Sequence, residues 1–290
     1  MKIVVFGASG FLGSHVADAL TATGHKVTIY DRKPSSYLHG SQKMIIGDIL
    51  DEKKVSGAIK NAGVVYNFAG ISDIGQASEK PLETVKQNIL GNTILLEACR
   101  KAKVKRFVFA SSLYVYSKVG AFYRSTKQAC ELLIENYQEV YGLPYTILRY
   151  GSLYGPRADK NNFVHRVLIQ ALEKGVITRE GDGEEIREYI HVSDAARISV
   201  DILSSEFVNQ YAVISGEQPI KVRDLLKMIK EMLQNKVKIK YLPPQSGFHY
   251  ELTPYTFSPC LAKKVVAPTY VDLGQGILKC LEHIYAETKQ

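Results

Sequence analysis

A glycine-rich turn near the start of the chain constrains the fold more than any other segment. The sequence GASGFLG at residues 7–13 directly follows the apolar, strand-like run 3–6 and opens a helical pattern at Phe11. Glycines allow a tight turn and a close approach of backbone to a pyrophosphate, while a helix N-terminus offers unpaired N–H groups and a favourable dipole. This context predicts a dinucleotide site, although the spacing is G-x-x-G-x-x-G rather than G-x-G-x-x-G. The alternative is a tight turn that binds nothing.

Strand-like and helix-like segments alternate through the first half of the chain. The predicted strands are residues 2–6, 26–30, 44–46, 64–68, 106–110 and 145–150, and the predicted helices are residues 11–23, 51–61, 82–103 and 125–140. Such alternation predicts an α/β fold with a Rossmann-type, doubly wound parallel sheet. Ligands of these sheets bind beyond the carboxyl ends of the strands.

Beyond Tyr150 the alternation gives way to loops rich in glycine, proline and charge. Helices are predicted at residues 163–173, 193–203, 222–233 and 273–285, and no regular element at 243–259, which contains four prolines. The run 209–214 is typical of a strand, and we expect it to return to the main sheet. The predicted domains are a dinucleotide-binding domain at 1–151, joined by 189–216, and a smaller, sequence-interleaved substrate lobe at 152–188 and 217–290.

Composition and charge narrow the class of protein. Hydrophobic residues make up 46% of the chain and charged residues 23%, as in a folded enzyme. There is no signal-peptide pattern, no apolar stretch near 18 residues, and no metal or disulfide spacing among the cysteines and histidines. We therefore expect a cytoplasmic protein without a metal or a membrane contact. The net charge of +8 favours a phosphate-bearing small substrate over nucleic acid, because the densest basic run, 101–106, lies where a helix should end.

The residue at the end of the second predicted strand favours NAD as the cofactor. Asp31 stands close to the position at which an acidic residue receives the adenosine ribose hydroxyls, and its charge repels a 2′-phosphate. Its neighbours Arg32 and Lys33 keep NADP as the alternative, because a cation there can accept that phosphate.

Tyr123 and Lys127 are the predicted catalytic pair. They lie four residues apart at the start of a helix, so an ammonium group can approach a phenol oxygen. To act near neutral pH, the phenol pKa must fall from about 10 by roughly 3 units, on the order of 4 kcal/mol, which a nearby cation and a charged nicotinamide can supply. Ser112, just past the strand 106–110, can hydrogen-bond the substrate oxygen. A plain turn-capping role is the alternative for Ser111 and Ser112.

The same Y-x-x-x-K spacing occurs twice more in the chain. Tyr285 and Lys289 lie near the C-terminus, far from any predicted cofactor strand. Tyr114 and Lys118 fall in a predicted loop, where a spacing of four need not bring the two side chains together. Position therefore selects Tyr123, which opens a helix.

Several segments, taken together and in order, resemble the extended short-chain dehydrogenase/reductase family of nucleotide-sugar epimerases and dehydratases. They are GASGFLG at 7–13, GDI at 47–49, NFAG at 67–70, SSLYVY at 111–116, the Tyr123 and Lys127 helix, RYGSLYGP at 149–156 and REYIHVSD at 187–194. The resemblance implies oxidation at a sugar carbon, usually C4, by tightly bound NAD, with Tyr123 taking the hydroxyl proton. It also implies a homodimer that pairs the helices at 82–103 and 125–141.

The resemblance and the motifs together give the predicted site. The predicted catalytic residues are Ser112, Tyr123 and Lys127. The predicted cofactor contacts are Gly7, Ser9, Gly10, Phe11, Leu12, Gly13, Asp31, Arg32, Asp48, Ile49, Phe68, Ala69, Gly70, Tyr123, Lys127 and Tyr150. The predicted substrate contacts are Ser111, Ser112, Ser152, Arg157 and Arg187, with Arg187 on the pyrophosphate of a nucleoside-diphosphate sugar.

Departures from the family pattern narrow the reaction. The resemblance implies Thr-Asp-Glu in dehydratases at the positions of Ser112, Leu113 and Tyr114, and a glutamate at the last of these in decarboxylases, so neither activity is favoured. The sequence therefore favours NAD-dependent C4 epimerisation of a nucleoside-diphosphate sugar. A one-way 4-dehydrogenase or 4-ketoreductase is the first alternative. A non-catalytic cofactor- or RNA-binding member of the fold is the second, and Ser152 in place of the usual Asn supports it.

Overall fold

The strands and helices follow the predicted alternation closely. The computed structural model describes residues 1–243 and 250–257, which belong to the unit Met1–Ser258. The strands are β1 (Lys2–Phe6), β2 (Lys26–Asp31), β3 (Lys43–Ile46), β4 (Val64–Asn67), β5 (Arg106–Ser112), β6 (Tyr145–Tyr150), β7 (Ser152–Tyr154), β8 (Val176–Glu180), β9 (Ile186–His191), β10 (Gln210–Ile214), β11 (Pro219–Lys221) and β12 (Lys238–Leu242). The α-helices are α1 (Phe11–Ala22), α2 (Glu52–Ile59), α3 (Ile74–Glu79), α4 (Pro81–Val85), α5 (Gly91–Lys101), α6 (Ala121–Tyr141), α7 (Phe163–Lys174), α8 (Val192–Asp201) and α9 (Val222–Met232).

A parallel sheet forms the centre of the described part of the chain. Its strand order is β10-β6-β5-β4-β1-β2-β3, and each neighbouring pair is parallel. Strands β4 and β6 are buried at every position, which explains why their sequences are mostly apolar and do not alternate between apolar and polar residues. The predicted Rossmann-type, doubly wound sheet is confirmed, and β10 lies at its edge beside β6.

Helices cover both faces of this sheet. Helices α1 and α8 pack together on one face, and α2, α5 and α6 pack on the other. Each face has its own apolar cluster, one around Val16 and Leu20 and the other around Leu95 and Phe107. The burial on both sides is what a parallel sheet with crossover helices requires.

The second part of the described chain is built from smaller sheets. Strands β11, β9 and β7 form a three-stranded sheet, and β12 pairs with β8. Helices α7 and α9 pack with these strands around a third apolar cluster. The sequence did not predict β7, β8, β9, β11 or β12, because their charged and half-buried residues lack a clear two-residue alternation.

Several predicted elements differ from the structure in their bounds. The helix predicted at 82–103 is divided into α4, a π-helix at Lys86–Leu90, and α5. Helix α6 begins at Ala121, four residues before the predicted start. Tyr114 lies in a 3-10 helix, Leu113–Tyr116, and not in the predicted loop. The helix predicted at 273–285, the pair Tyr285 and Lys289, and residues 244–249 and 258–259 of the segment 243–259 lie outside the described residues. No helix in the described ranges has the length and apolarity that crossing a membrane requires.

Candidate active site

The strand order reverses around β1, whose neighbours are β2 and β4. The carboxyl ends of these strands meet at a topological switch point, where doubly wound sheets bind ligands. A cavity of about 610 Å³ opens there, and we call it the switch-point cavity. The predicted cofactor residues that line it are Gly7, Ser9, Gly10, Phe11, Leu12, Gly13, Asp31, Arg32, Ile49, Phe68, Ala69, Gly70, Tyr123, Lys127 and Tyr150.

The glycine turn fits a pyrophosphate for a steric reason. Gly7 has a φ of +76°, and a Cβ there would lie 2.5 Å from the backbone nitrogen of Ala69. A Cβ at Gly13 would lie 2.5 Å from the carbonyl oxygen of Gly7. Helix α1 begins after Gly10 without a side-chain cap, so its first N–H groups are left for a ligand. The residues present therefore suit a dinucleotide.

Asp31 joins the glycine turn to the end of β2. Its carboxylate accepts the backbone N–H of Ser9 at 3.0 Å and that of Lys33 at 3.3 Å. Arg32 and Lys33 line the same cavity. Asp48 is the one predicted cofactor residue outside the lining set, and its carboxylate accepts the N–H of Leu50 at 2.9 Å.

Ser112, Tyr123 and Lys127 come together at the inner end of the cavity. Ser112 and Tyr123 both line the cavity, and Ser112 lies close enough to the phenol to lower its pKa against the raising effect of burial. The Lys127 Nζ donates to the carbonyl oxygen of Ala110 at 2.7 Å and lies 5.8 Å from the centre of the Tyr123 ring. Strand β5 and helix α6 thus place a hydroxyl, a phenol and an ammonium group within reach of one ligand atom.

Burial governs the electrostatics of this group in the chain without cofactor. It raises the pKa of Tyr123 to about 12, against the lowering effect of the nearby Ser112. Burial also lowers the pKa of Lys127, while Cys130 and Glu131 raise it. The sequence analysis expects a lowered pKa for Tyr123, whereas the contacts within the chain raise it. A lowered pKa therefore requires the positive charge of a bound nicotinamide.

Ser111 also lines the cavity, but its hydroxyl is hydrogen-bonded to one member of a buried ion pair. Ser111 Oγ donates to Glu131 at 2.5 Å, and Glu131 pairs with Arg149 at 2.6 Å. Both charged side chains are less than a tenth exposed. Glu131 escaped the sequence analysis, although it follows Lys127 by four residues and so lies on the same face of α6.

The predicted substrate residues other than Ser111 and Ser112 occupy three separate places. Ser152 lies close to Tyr250, whose pKa burial raises and Ser152 lowers. Arg157 pairs with Asp18 of α1 at 2.7 Å and lies 4.4 Å from the Tyr37 ring, beside the switch-point cavity. Arg187 lines a cavity of about 1230 Å³, which we call the outer cavity.

Gln87, Tyr37 and Tyr250 are site residues that the sequence analysis missed. Gln87 and Tyr37 line the switch-point cavity, and Tyr250 lines the outer cavity. None belongs to a motif with a mechanism of its own, so only the folded chain reveals its position.

Comparisons with known proteins agree with this geometry. The family model described as the NAD dependent epimerase/dehydratase family matches residues 3–213. A UDP-N-acetyl-alpha-D-glucosaminuronate decarboxylase of Bacillus cytotoxicus is 29% identical, over 83% of this chain and 83% of that protein.

Two solved structures share the fold closely. The UDP-glucose 4-epimerase of Thermotoga maritima, solved with UDP-glucose, superposes with a TM-score of 0.82 at 27% identity, covering 89% of this chain and 90% of that chain. The UDP-glucuronic acid 4-epimerase of Bacillus cereus, solved with UDP-glucuronic acid and NAD, gives a TM-score of 0.81 at 27% identity, covering 90% and 95% of the two chains. With its glycine turn, parallel sheet and serine–tyrosine–lysine group in place, the chain belongs to the NAD dependent epimerase/dehydratase family.

Proposed function

We propose that the chain catalyses NAD-dependent epimerisation at C4 of a nucleoside-diphosphate sugar. The observation that carries this proposal is that Ser112, Tyr123 and Lys127 line the same switch-point cavity, with the Lys127 Nζ 5.8 Å from the centre of the Tyr123 ring. A serine hydroxyl and a phenol placed in this way can hold and deprotonate a single sugar hydroxyl. The solved relatives described above carry UDP-sugars, which supports the substrate class.

The residues of the chain divide the work between proton transfer and orientation. NAD, when bound, supplies the acceptor and donor of hydride at the sugar carbon. Ser112 orients the C4 hydroxyl, and Tyr123 takes its proton and later returns it. Lys127 stays charged beside the phenol and stabilises the phenolate. Epimerisation further requires that the keto sugar present its other face before it is reduced, so the pocket must allow the sugar to turn.

The outer cavity supports the assignment of the nucleotide end of the substrate. Its volume of about 1230 Å³ is large enough for a nucleoside diphosphate. Arg187 lines this cavity and supplies the cation for the diphosphate. We propose that residues 152–188 and 217–290 form the substrate lobe and 1–151 with 189–216 the cofactor domain.

A one-way 4-dehydrogenase or 4-ketoreductase is the second candidate. Arg32 and Lys33 line the switch-point cavity next to Asp31, so they can accept the 2′-phosphate of NADP, a cofactor of many reductases. Decarboxylation is the activity named for the Bacillus cytotoxicus relative. It is not favoured for this chain, because Tyr114 stands where the resemblance implies a glutamate and burial raises the pKa of its phenol.

Exposed apolar side chains support a homodimer through α4, the π-helix and α6. Leu82, Leu90, Leu132 and Val140 are all more than half exposed. Helices α4 and α6 contact each other in the structure, so these side chains belong to one side of the molecule. An apolar surface of this kind is typical of a protein interface, and light scattering after gel filtration would give the number of subunits.

The decisive experiment identifies the cofactor and follows the product together. The purified protein is denatured and the released nucleotide assayed. The native protein is then incubated with UDP-, GDP-, CDP- and dTDP-sugars while nicotinamide absorbance and products are followed. We expect co-purified NAD and an isomeric sugar nucleotide without net NADH, and we expect Tyr123→Phe to form no product. Accumulation of reduced cofactor with a keto product would favour the dehydrogenase, and loss of carbon dioxide the decarboxylase. RNA retention without turnover would favour the non-catalytic alternative.

A further inference from the structure

Arg187 is a buried cation that forms no ion pair with a carboxylate of residues 1–243 or 250–257. Arg187 is only 8% exposed. Its Nη1 donates to the carbonyl oxygens of Ile186 at 2.9 Å and Glu251 at 3.3 Å. A buried charge without a counter-charge is costly, so an anion is the ligand that this position favours.

Tyr250 lies where that anion would bind. Its ring centre is 4.3 Å from the Arg187 guanidinium carbon. The same ring lies 4.7 Å from the ring of Tyr114, which lies 6.1 Å from the ring of Tyr123. Tyr250 therefore covers Arg187, a predicted substrate contact, and lies close to Ser152, another predicted substrate contact.

We propose that Tyr250 is an internal competitor of the substrate. Its ring covers the Arg187 guanidinium in the ligand-free chain, and it leaves this guanidinium when a diphosphate binds. This inference rests on the proposed function, because it needs a ligand that carries a diphosphate at Arg187 and a sugar hydroxyl at Tyr123.

The positions of the two cavities support the exchange. Tyr123 lines the switch-point cavity, whereas Arg187 and Tyr250 line the outer cavity. The rings of Tyr114 and Tyr250 stand in the chain of contacts between Tyr123 and Arg187. A ligand that reaches from Tyr123 to Arg187 therefore runs along this aromatic pair, and its diphosphate meets Arg187 where the Tyr250 ring lies.

The exchange also gives a basis for substrate selection. A bidentate bond between guanidinium and phosphate is stronger than a cation–π contact, so a diphosphate can displace the ring from Arg187. A sugar without a diphosphate has no group that competes with the ring. Moving Tyr250 costs free energy, and this cost weakens the binding of any ligand that must displace the ring. Only a ligand with a diphosphate offsets the cost, through its bonds to Arg187.

The test measures the affinity of nucleoside diphosphates for the NAD-loaded full-length protein. UDP, GDP, CDP and dTDP serve as probes in calorimetric titrations of the wild type, Tyr250→Ala, Tyr250→Phe and Tyr255→Ala. We expect the preferred diphosphate to bind Tyr250→Ala about tenfold more tightly than the wild type, in line with a partly desolvated cation–π contact. Tyr250→Phe should fall between the two. Tyr255, which bonds to Glu188 and not to Arg187, is the matched control and should leave the affinity unchanged.

A fluorescence signal tests the movement itself. The chain contains no tryptophan, so Tyr250→Trp introduces a single indole at this position. Its emission should change when the diphosphate binds and stay constant when NAD binds alone.

The outcomes separate the inference from the proposed function. Equal or weaker diphosphate binding by Tyr250→Ala, with NAD binding retained, would overturn the competitor role while the proposed function stands. Constant indole emission on diphosphate binding would overturn it as well. If no diphosphate binds to any variant while NAD binds to all, the nucleotide-sugar assignment fails and takes this inference with it.

Discussion

The two ends of the site differ in how their residues reach their positions. On the cofactor side, the predicted residues follow adjacent parallel strands, and all except Asp48 line one cavity. On the substrate side, Ser152 lies close to Tyr250, Arg157 pairs with Asp18, and Arg187 lies in the outer cavity. The register of a parallel sheet fixes the first set, whereas loops and short strands that meet only in the folded chain fix the second.

On the cofactor side, we expect a substitution at Lys127 to lower activity strongly without lowering stability. Replacing it by methionine removes the charge that stabilises the phenolate, so we expect kcat to fall by about 10²- to 10⁴-fold. The buried ammonium also carries a desolvation cost, so the unfolding midpoint should not fall. The exposed Lys118 belongs to the Tyr114 pair, and Lys118→Met should leave kcat unchanged. A similar loss in both variants would contradict the choice of Tyr123 and Lys127.

The glycine turn should be the least tolerant backbone position on the cofactor side. Gly7→Ala puts a Cβ 2.5 Å from a backbone atom at a positive φ, so we expect a stability loss of about 3 kcal/mol and loss of bound NAD. A Cβ at Gly57, in α2, would instead point into open space, with nothing beyond its own helix within 4 Å in the described part of the chain. Gly57→Ala should therefore stabilise the protein by about 0.5–1 kcal/mol. Urea unfolding and the NAD content of the purified variants measure both effects, and equal behaviour would refute the steric argument.

Alkaline pH should weaken the fold through Tyr123. Its folded-state pKa of about 12 is above the ordinary value of 10.0, so the folded chain keeps this proton at pH values where the unfolded chain loses it. The stabilisation is complete below pH 10 and is lost as the pH rises towards 12, by roughly 1.4 kcal/mol per pH unit. Urea unfolding at pH 9 and pH 11 should show a smaller pH dependence in Tyr123→Phe than in the wild type. Saturating NAD should also reduce this dependence, because it favours the phenolate.

The smallest expected effect distinguishes Arg157 from Arg187 on the substrate side. Arg157 contacts Asp18 and Tyr37, so Arg157→Ala should lower the free energy of unfolding by about 1 kcal/mol and leave the substrate KM within about twofold. Arg187→Met should raise the KM by about tenfold or more and leave NAD binding intact. A large rise in KM for Arg157→Ala would instead support the substrate role that the sequence predicts for Arg157.

Local patterns predicted the sheet because its strands are short, mostly apolar and separated by amphipathic helices. Strands β1 and β6 have the predicted bounds, and the glycine turn lies where β1 ends. The π-helix within the predicted helix 82–103 left no periodic signal, since one extra residue in a turn changes the spacing only locally. The positions of Arg157 and Tyr250 depend on contacts between residues far apart in sequence, which no short pattern encodes.

The edge strand β10 has a consequence for how the chain acquires its fold. Strand β6 is buried at all six positions, yet its outer neighbour β10 is made only after β7, β8, β9 and the helices α7 and α8. During synthesis, the open edge of β6 must therefore stay unpaired until residue 214 has left the ribosome. An unpaired apolar edge is prone to join a foreign strand. Shortened chains that end at residue 151 should consequently aggregate rather than yield a free cofactor domain.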